Sequence, residues 1–384
     1  MTRVLILAHC GPGILTVARS CRRQGVELHL LHVSRGKNRC RSCSVGATDV
    51  AIFSPDLIGT PPGIDTLAKH AARIGATALI AFCDNELVWL AEHRQAFEPS
   101  CKVLVQSSVS LSQLLSKCYQ LEIARKVGFQ VLPTFLLVEA GDADRVPDSA
   151  FPLVLRPNCA EDVKPYFKVR LTKSRVQLQD FLQELQFVRS PIIAQPFMDL
   201  PNLIIHGVRS TDGRVLASRS YFVSHKFEGV SLSIEPHPLP EQMEHMCLEF
   251  VRQAGVTGCY HFEFLFSPEK KLAYFLEINI RMSGITDKVT KLGFDEPSLL
   301  LQAYRAIPHA PMFQETNRSR VVNKRTLLRH ILWAARGKLT ELDYPSVSPL
   351  RHILYSCRDL LLAKDSVFDW RDLRGSFWVH LGQR

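Results

Sequence analysis

Apolar residues along the first hundred positions fall in short runs, many of them β-branched, separated by segments of helical periodicity. The runs are Arg3 to Ala8, Val26 to Val33, Val50 to Phe53, Ala78 to Phe82 and Val103 to Val105. Strands covered on both faces read as continuous apolar runs, and helices must cross between parallel strands. The spacing therefore predicts a Rossmann-like α/β domain over residues 1 to 108. Its first turn, Gly11, Pro12, Gly13, stands where a dinucleotide fingerprint would sit but lacks the third glycine. The second strand ends in Val33, Ser34, Arg35 with no ribose-binding acid. NAD binding is thus the lesser alternative to a tight bend facing some ligand at the carboxyl ends of the strands. Asp84 and Glu86 follow the fourth run at that edge, where they are placed to grip a substrate amine; Asp84 is equally suited to cap a helix.

The texture then changes. Ser110 to Val127 reads as a helix with Lys117 near its middle, closed by Gly128 and followed by the extended Phe129 to Pro133. From Phe135 to Arg281 the pattern is mostly strand-like, with helical interludes at about Arg175 to Phe187 and Pro240 to Ala254. An α+β region over 109 to 308 is expected, with residues of about 129 to 195 forming a smaller subdomain.

A chain of 384 residues fits two or three domains. No apolar run approaches the roughly 18 to 20 residues of a membrane span, so a soluble protein is expected. The apolar opening is broken at Gly11 to Gly13, and Arg19, Arg22 and Arg23 follow it, the wrong order for a signal peptide. Eleven cysteines, odd in number, suit reduced thiols in a cytoplasm. Cys40 and Cys43 form a CxxC with no second pair, which favours two loop or buried cysteines over a zinc or redox site.

The net charge of +10 could attract phosphates, nucleic acid or an anionic membrane. From His309 to Arg384 there are 13 Lys plus Arg against 7 Asp plus Glu. Basic residues alternate with apolar ones at helical spacing from Arg325 to Arg336, predicting a helical tail with a solvated basic face. No nucleic-acid-binding motif is present. Trp333, Trp370, Phe377 and Trp378 also belong to this tail. Packing against the preceding domain is the favoured role, and peripheral contact with an anionic membrane the alternative.

The densest chemistry lies in Gly258 to Arg281. Two apolar runs, Tyr260 to Phe266 and Leu272 to Ile280, are joined by a polar turn and read as a hairpin. Glu263 interrupts the first run and Glu277 the second, with Asn279 and Arg281 at two-residue steps beyond. Residues two apart on a strand share a face, so Glu277, Asn279 and Arg281 point one way and Glu263 meets them across the hairpin. Two carboxylates held so close repel unless a cation intervenes, and an all-oxygen donor set suits Mg²⁺ bound with phosphates. The adjacent Arg281 suits the phosphate charge itself.

These residues resemble the ATP-grasp superfamily, whose members close their ATP site with a Glu on one strand and Glu-x-Asn-x-Arg on the next. Lys117, followed by Ala124, Gly128, Pro133 and Thr134, resembles the segment whose lysine approaches the ATP phosphates. Phe151 to Pro157 resembles the strand carrying the first phosphate lysine, with Arg156 in its place, and Lys168 the second such lysine. Ile192 to Met198 resembles the hinge strand whose backbone reads adenine, and Asn202 stands where a ribose-binding acid is common. The likeness spans about residues 1 to 306 and is nearest to the branch of carbamoyl-phosphate synthetase and stand-alone carboxylate–amine ligases.

The resemblance implies a pre-ATP-grasp domain, an ATP-grasp domain with a lid subdomain, and a tail from 309. It implies metal ligation (Mg²⁺ or Mn²⁺) by Glu263, Glu277 and Asn279. ATP contacts would come from Lys117, Arg156, Lys168, Gln195, Phe197, Met198, Asn202 and Leu265, and charge neutralisation at the γ-phosphoryl group from Arg156, Lys168 and Arg281. Gly284 would lie near the tetrahedral oxyanion. The implied activity is an ADP-forming ligase that converts a carboxylate to an acyl phosphate and couples it to an amine. The alternatives are a carboligase that takes bicarbonate as its carboxylate, and a nucleotide-binding protein without catalysis. Because lysine is usual at position 156, Arg156→Lys is expected to retain activity.

Overall fold

A computed structural model describes residues 2–36, 46–309 and 319–381. The Cys40–Cys43 pair lies outside them. The predicted apolar runs form a five-stranded parallel sheet in the order Ala47–Phe53, Glu27–Val33, Arg3–Ala8, Ala78–Ala81, Lys102–Val103. Val4 to Ala8 are wholly buried because helices cover both faces. Helix Pro12–Arg23 begins with proline, whose fixed φ suits a first turn, and buries Ile14, Leu15, Val17, Ala18 and Cys21. Helix Pro61–Ile74 is capped by the Thr60 hydroxyl and stopped by Gly75 in the left-handed conformation at φ 64°. Arg3–Ala8 and Ala78–Ala81 are neighbours, so the residues that follow them leave the sheet side by side.

The predicted hairpin is the edge of a seven-stranded sheet. Its order is Leu272–Asn279, Gly258–Ser267, Asn202–Arg209, Val215–Phe227, Val230–Pro236, Val321–Val322, Lys364–Asp365. All neighbours are antiparallel except the last two strands. One face carries an aromatic core in which Phe129, Phe250, Phe262, Phe264 and Phe275 meet with ring centroids 5.1–6.4 Å apart. Simple alternation would put Phe275 and Glu277 on the same face. The ladder instead steps from Glu263 opposite Glu277 to Phe264 opposite Phe275, leaving Leu276 as a bulge. The extra residue sends Phe275 into the core while Glu277 faces outward, a re-aiming that β-bulges achieve.

Between these two sheets in the chain comes a four-stranded antiparallel sheet, Phe135–Leu137, Ile192–Pro196, Leu153–Pro157, Arg170–Thr172, with helix Arg175–Glu184 packed on it through Leu178, Phe181 and Leu182. The expected single helix from Ser110 to Val127 is two helices, Ser108–Leu115 and Lys117–Lys126. Ser116 breaks the chain and caps the second by accepting from the Tyr119 amide, so Lys117 opens a helix rather than lying mid-helix.

The tail is not purely helical. Helices Lys324–Ala335, Pro349–Leu362 and Leu373–Leu381 alternate with Val321–Val322 and Lys364–Asp365, which extend the large sheet. Trp333 packs edge-on against Phe227 at 5.3 Å, whereas Trp370 and Phe377 are 79% and 57% exposed. Among the described residues no helix is long and apolar enough to cross a membrane. Eight described cysteines are free; Cys10 is disulfide-bonded, which departs from the expectation of reduced thiols.

Arg19, on the first helix, clamps the tail to the parallel domain. Its guanidinium donates to Asp372 Oδ2 at 2.8 Å, Val367 O at 2.6 Å and Ser376 Oγ at 2.9 Å. Arg19→Ala should therefore lower stability by about 2 kcal/mol, the scale of hydrogen bonds to a charged group whose loss leaves the buried Asp372 carboxylate without its ion-pair partner. A urea midpoint equal to that of the wild type would show that the tail docks by other means.

Candidate active site

The parallel sheet's carboxyl edge, the four-stranded sheet and the outward face of the large sheet enclose a cleft of about 580 Å³. Glu263 and Glu277 project into it from directly opposed strand positions. Asn279 Nδ2 donates to Glu277 Oε1 at 3.1 Å. Lys117 Nζ and Arg156 Nη1 approach Glu277 Oε2 to 3.7 and 3.5 Å, one from the helix behind and one from the four-stranded sheet.

This asymmetry splits the two carboxyls. Burial and the neighbouring Glu277 charge push Glu263 up to about 7, with Lys168, Arg156 and Arg281 opposing. Burial also pushes Glu277 up, but Lys117, Arg156, the Asn279 bond and Arg281 outweigh it and hold that carboxyl below its ordinary value. A carboxyl that ionises reluctantly beside an ionised one would be relieved of that repulsion by a cation bound between them. The donor set of Glu263, Glu277 and Asn279 is all oxygen, which fits a hard divalent ion such as Mg²⁺.

Arg281 also reaches the cleft, but its guanidinium is engaged. Nε donates to Asp84 Oδ1 at 2.7 Å, which ties the end of the Glu277 strand to the edge of the parallel sheet. Asp84 is the first residue of helix Asp84–Glu92 and not its cap. Glu86 does not reach the cleft. It is buried and accepts from the Cys83 amide, so the expectation that it meets substrate gives way to a helix-capping role. The other expected residues all line the cleft: Lys117, Arg156, Lys168, Gln195, Phe197, Met198, Asn202, Leu265 and Gly284. Their actual partners add detail. Gln195 uses its side chain to bridge Thr134 Oγ1 at 3.0 Å and Arg156 at 2.8 Å, and Phe197 N donates to Pro152 O at 2.7 Å.

Several residues that hold the site gave no separate signal in the sequence. Gln120 is buried one helical turn after Lys117. Its amide donates to Ile278 O at 2.9 Å and accepts from Ile278 N at 3.0 Å, pinning the edge strand between Glu277 and Asn279. Asn158 accepts from Ser116 Oγ and the Cys118 amide, anchoring the start of the Lys117 helix. Glu296, wholly buried, accepts from the Ser283 amide at 3.3 Å, from the Thr286 hydroxyl and from His206 Nδ1 at 3.0 Å, which holds the turn containing Gly284. His261, two residues before Glu263 on the same strand, is buried. It stacks on His206 at 5.2 Å, and burial keeps it well below the ordinary histidine range, so it stays neutral.

Lys226 did leave a trace, as a lone lysine in a strand-like run. It donates to Leu200 O at 2.8 Å and Asn202 Oδ1 at 3.2 Å and lies over the Tyr344 ring at 5.1 Å. Burial lowers it to about 8 against the pull of Asp199 and Glu263. Glu341, Leu342 and Tyr344 bring the tail onto the cleft, and Glu341 pairs with Lys173 beside the four-stranded sheet.

No protein-family model and no curated protein matches this sequence. Solved structures do match in three dimensions. The ADP complex of purK, N5-carboxyaminoimidazole ribonucleotide synthetase, superposes with a TM-score of 0.65 over 87% of this chain and 85% of its own, at 12% identity. The biotin carboxylase domain of Hydrogenobacter thermophilus 2-oxoglutarate carboxylase, bound to MgADP, ADP and bicarbonate, gives 0.65 over 83% and 73%, at 15% identity. The L-amino acid ligase from Bacillus licheniformis gives 0.60 over 79% and 74%, at 14% identity. These are ATP-grasp proteins. The chain has the ATP-grasp fold. Within that fold the Glu263–Glu277–Asn279 set lies on the large sheet, and the four-stranded sheet supplies Arg156 and Gln195 from its central strands.

The split between the carboxyls has a measurable sign. Because the folded-state value of Glu263 lies above that of the unfolded chain, its proton stabilises the cation-free protein at low pH, and that contribution is lost as pH rises through about 7. A divalent cation bound by Glu263 would take the place of that proton. Thermal stabilisation by Mg²⁺ with ADP should thus be smaller near about pH 6 than above about pH 8, and the difference between the two should shrink in Glu263→Gln, leaving that due to the nucleotide's own phosphate. Equal Mg²⁺-dependent shifts at both pH values in the wild type would contradict this assignment.

Proposed function

We propose that the protein is an ATP-dependent, ADP-forming ligase that activates a carboxylate as an acyl phosphate and couples it to an amine. The reading rests above all on the opposed Glu263 and Glu277 in a cleft where Lys117, Arg156, Lys168 and Arg281 approach from four different segments. Two acids among four cations suit a polyphosphate with its counter-ion better than either alone.

Phosphoryl transfer asks chiefly for positioning and charge stabilisation, so no protein nucleophile is required. Glu263, Glu277 and Asn279 would hold Mg²⁺, which when bound neutralises and orients the ATP phosphates. Arg156 and Lys168 attract the γ-phosphoryl oxygens as charge moves onto them. The strand Ile192–Pro196 and the chain to Met198 offer backbone groups to adenine, since Pro196 lacks an N–H but keeps its carbonyl. Arg281, held in place by Asp84, adds its charge beside the γ-phosphoryl group; the carboxylate attacks the γ-phosphorus, and ADP leaves as the acyl phosphate forms. The Gly284 amide stands in a turn braced by Glu296, suited to the oxyanion generated when the amine attacks and phosphate departs.

A bicarbonate-using carboligase is the second reading. It is favoured by the names of two similar structures, a carboxyaminoimidazole ribonucleotide synthetase and a biotin carboxylase domain captured with bicarbonate. ADP release measured across amino acids and small acids, with and without bicarbonate, separates the two. Stimulation by a carboxylate and amine pair without bicarbonate supports the ligase; stimulation only with bicarbonate replaces it with the carboligase. Glu277→Ala should abolish Mg²⁺-dependent turnover with the fold retained. The fork of Arg156 spans Gln195 and Glu277, which a single ammonium cannot, so the expectation for Arg156→Lys narrows to activity reduced by about tenfold. Wild-type rates in Glu277→Ala would remove the basis of the proposal.

A further inference from the structure

Three side chains of different chemistry meet at the carboxyl ends of the two central parallel strands, outside the residues assigned to nucleotide or Mg²⁺. His9 directly follows Arg3–Ala8, while Cys83 and Glu86 lie at the start of helix Asp84–Glu92. The two strands run in register, Leu7 opposite Ala81, which delivers these residues to one place although they are more than seventy positions apart. One donor atom from each, an imidazole nitrogen, a thiol sulfur and a carboxylate oxygen, lies within 4.8 Å of the others. His9 Nε2 stands 3.8 Å from Glu86 Oε1.

Glu86 distinguishes this cluster from a chance meeting of surface groups. Its side chain is 2% exposed; Oε2 accepts from the Cys83 amide at 3.3 Å, and the Phe82 amide and the Cys83 thiol also bear on the carboxyl. Oε1 is buried with no hydrogen-bond donor and is the oxygen nearest His9. A buried carboxylate oxygen left in this way is costly, and a proton or a cation relieves it. His9 and Cys83 are exposed, so an ion can reach the group from solvent.

We propose that His9 Nε2, Cys83 Sγ and Glu86 Oε1 form a three-ligand site for a thiophilic divalent cation of the Zn²⁺ class, with a fourth position open. The choice of ion follows from the donors. A nitrogen, sulfur and oxygen set suits Zn²⁺ or Co²⁺ and is wrong for Mg²⁺, whose all-oxygen requirement is met instead at Glu263, Glu277 and Asn279. Three protein ligands with an open position are the pattern of zinc sites that bind a water or substrate group. Cys83 directly precedes Asp84, a residue of the cleft lining and the partner of Arg281, so the cluster lies beside the cleft. Burial and the nearby Glu86 push the Cys83 thiol up to about 11, and burial raises Glu86 as well. Uptake therefore converts the thiol to a metal-bound thiolate and releases its proton to water, with no change of oxidation state.

The test is a titration of the full-length protein with Co²⁺, without nucleotide. The wild type should show a thiolate-to-cobalt charge-transfer band, visible bands of four-coordinate intensity, and proton release on uptake. Cys83→Ser should lose the band that the wild type shows, and His9→Ala and Glu86→Gln should each weaken Co²⁺ binding by about tenfold or more. The Cys40→Ser/Cys43→Ser double variant should keep the band. Circular dichroism of each variant establishes that it is folded; because His9 and Cys83 are exposed, their replacement leaves the core untouched. An undiminished charge-transfer band in folded Cys83→Ser, or a band lost only in the double variant, overturns the proposal. Because no nucleotide is present, either outcome leaves the ligase reading where it stands.

Discussion

The opposition of Glu263 and Glu277 across one hairpin is the constraint around which the other elements are arranged. Two carboxylates on facing strands repel, and no single neighbouring element offers enough positive charge to hold them. Lys117 arrives from a helix, Arg156 from the four-stranded sheet, Lys168 from the loop before Arg170–Thr172, and Arg281 from the end of the hairpin strand. The cost of assembling two acids is thereby turned into a reason for three sheets to converge. The convergence is what creates the cleft.

Rigidity behind the cleft comes from apolar packing and from hydrogen bonds that end on backbone. The interlocked phenylalanines on the reverse face of the hairpin fix its position, and the Leu276 bulge makes that packing compatible with an outward Glu277. The Gln120 side chain supplies the edge strand with the pairing that a missing eighth strand would have given. Glu296 plays a comparable part for the Ser283–Ile285 turn. None of these groups is placed to touch a reacting atom. They matter because electrostatic stabilisation depends on charges held in place before the reaction begins.

The tail completes the enclosure. By adding strands to the far edge of the large sheet and bringing Tyr344 over Lys226, it couples the parallel domain, the large sheet and the nucleotide side of the cleft. Arg19 carries the other end of this coupling. Within the tail Arg320 pairs with Glu235 and Asp359, and Arg329 with Glu228, while Trp370 and Phe377 remain at the surface.

What the amino-acid sequence determined by itself follows from local periodicity. Continuous apolar runs could only be doubly covered strands, so the parallel sheet was legible within a few residues at each end. Two-residue spacing put Glu277, Asn279 and Arg281 in one row, and the polar turn brought Glu263 across to it. Helix ends and pairings between distant segments carry no such period. The break at Ser116 was hidden in an otherwise helical pattern and is stabilised from Asn158, more than forty residues away. The tail strands are two residues long and acquire their identity only by pairing with a preformed edge. The bulge at Leu276, the diversion of Glu86 into a cap, and the arrival of Gln120, Lys226 and Tyr344 at the cleft were decided by tertiary structure. Each depends on which distant surface a side chain meets, and hydrophobic order along the chain does not record that.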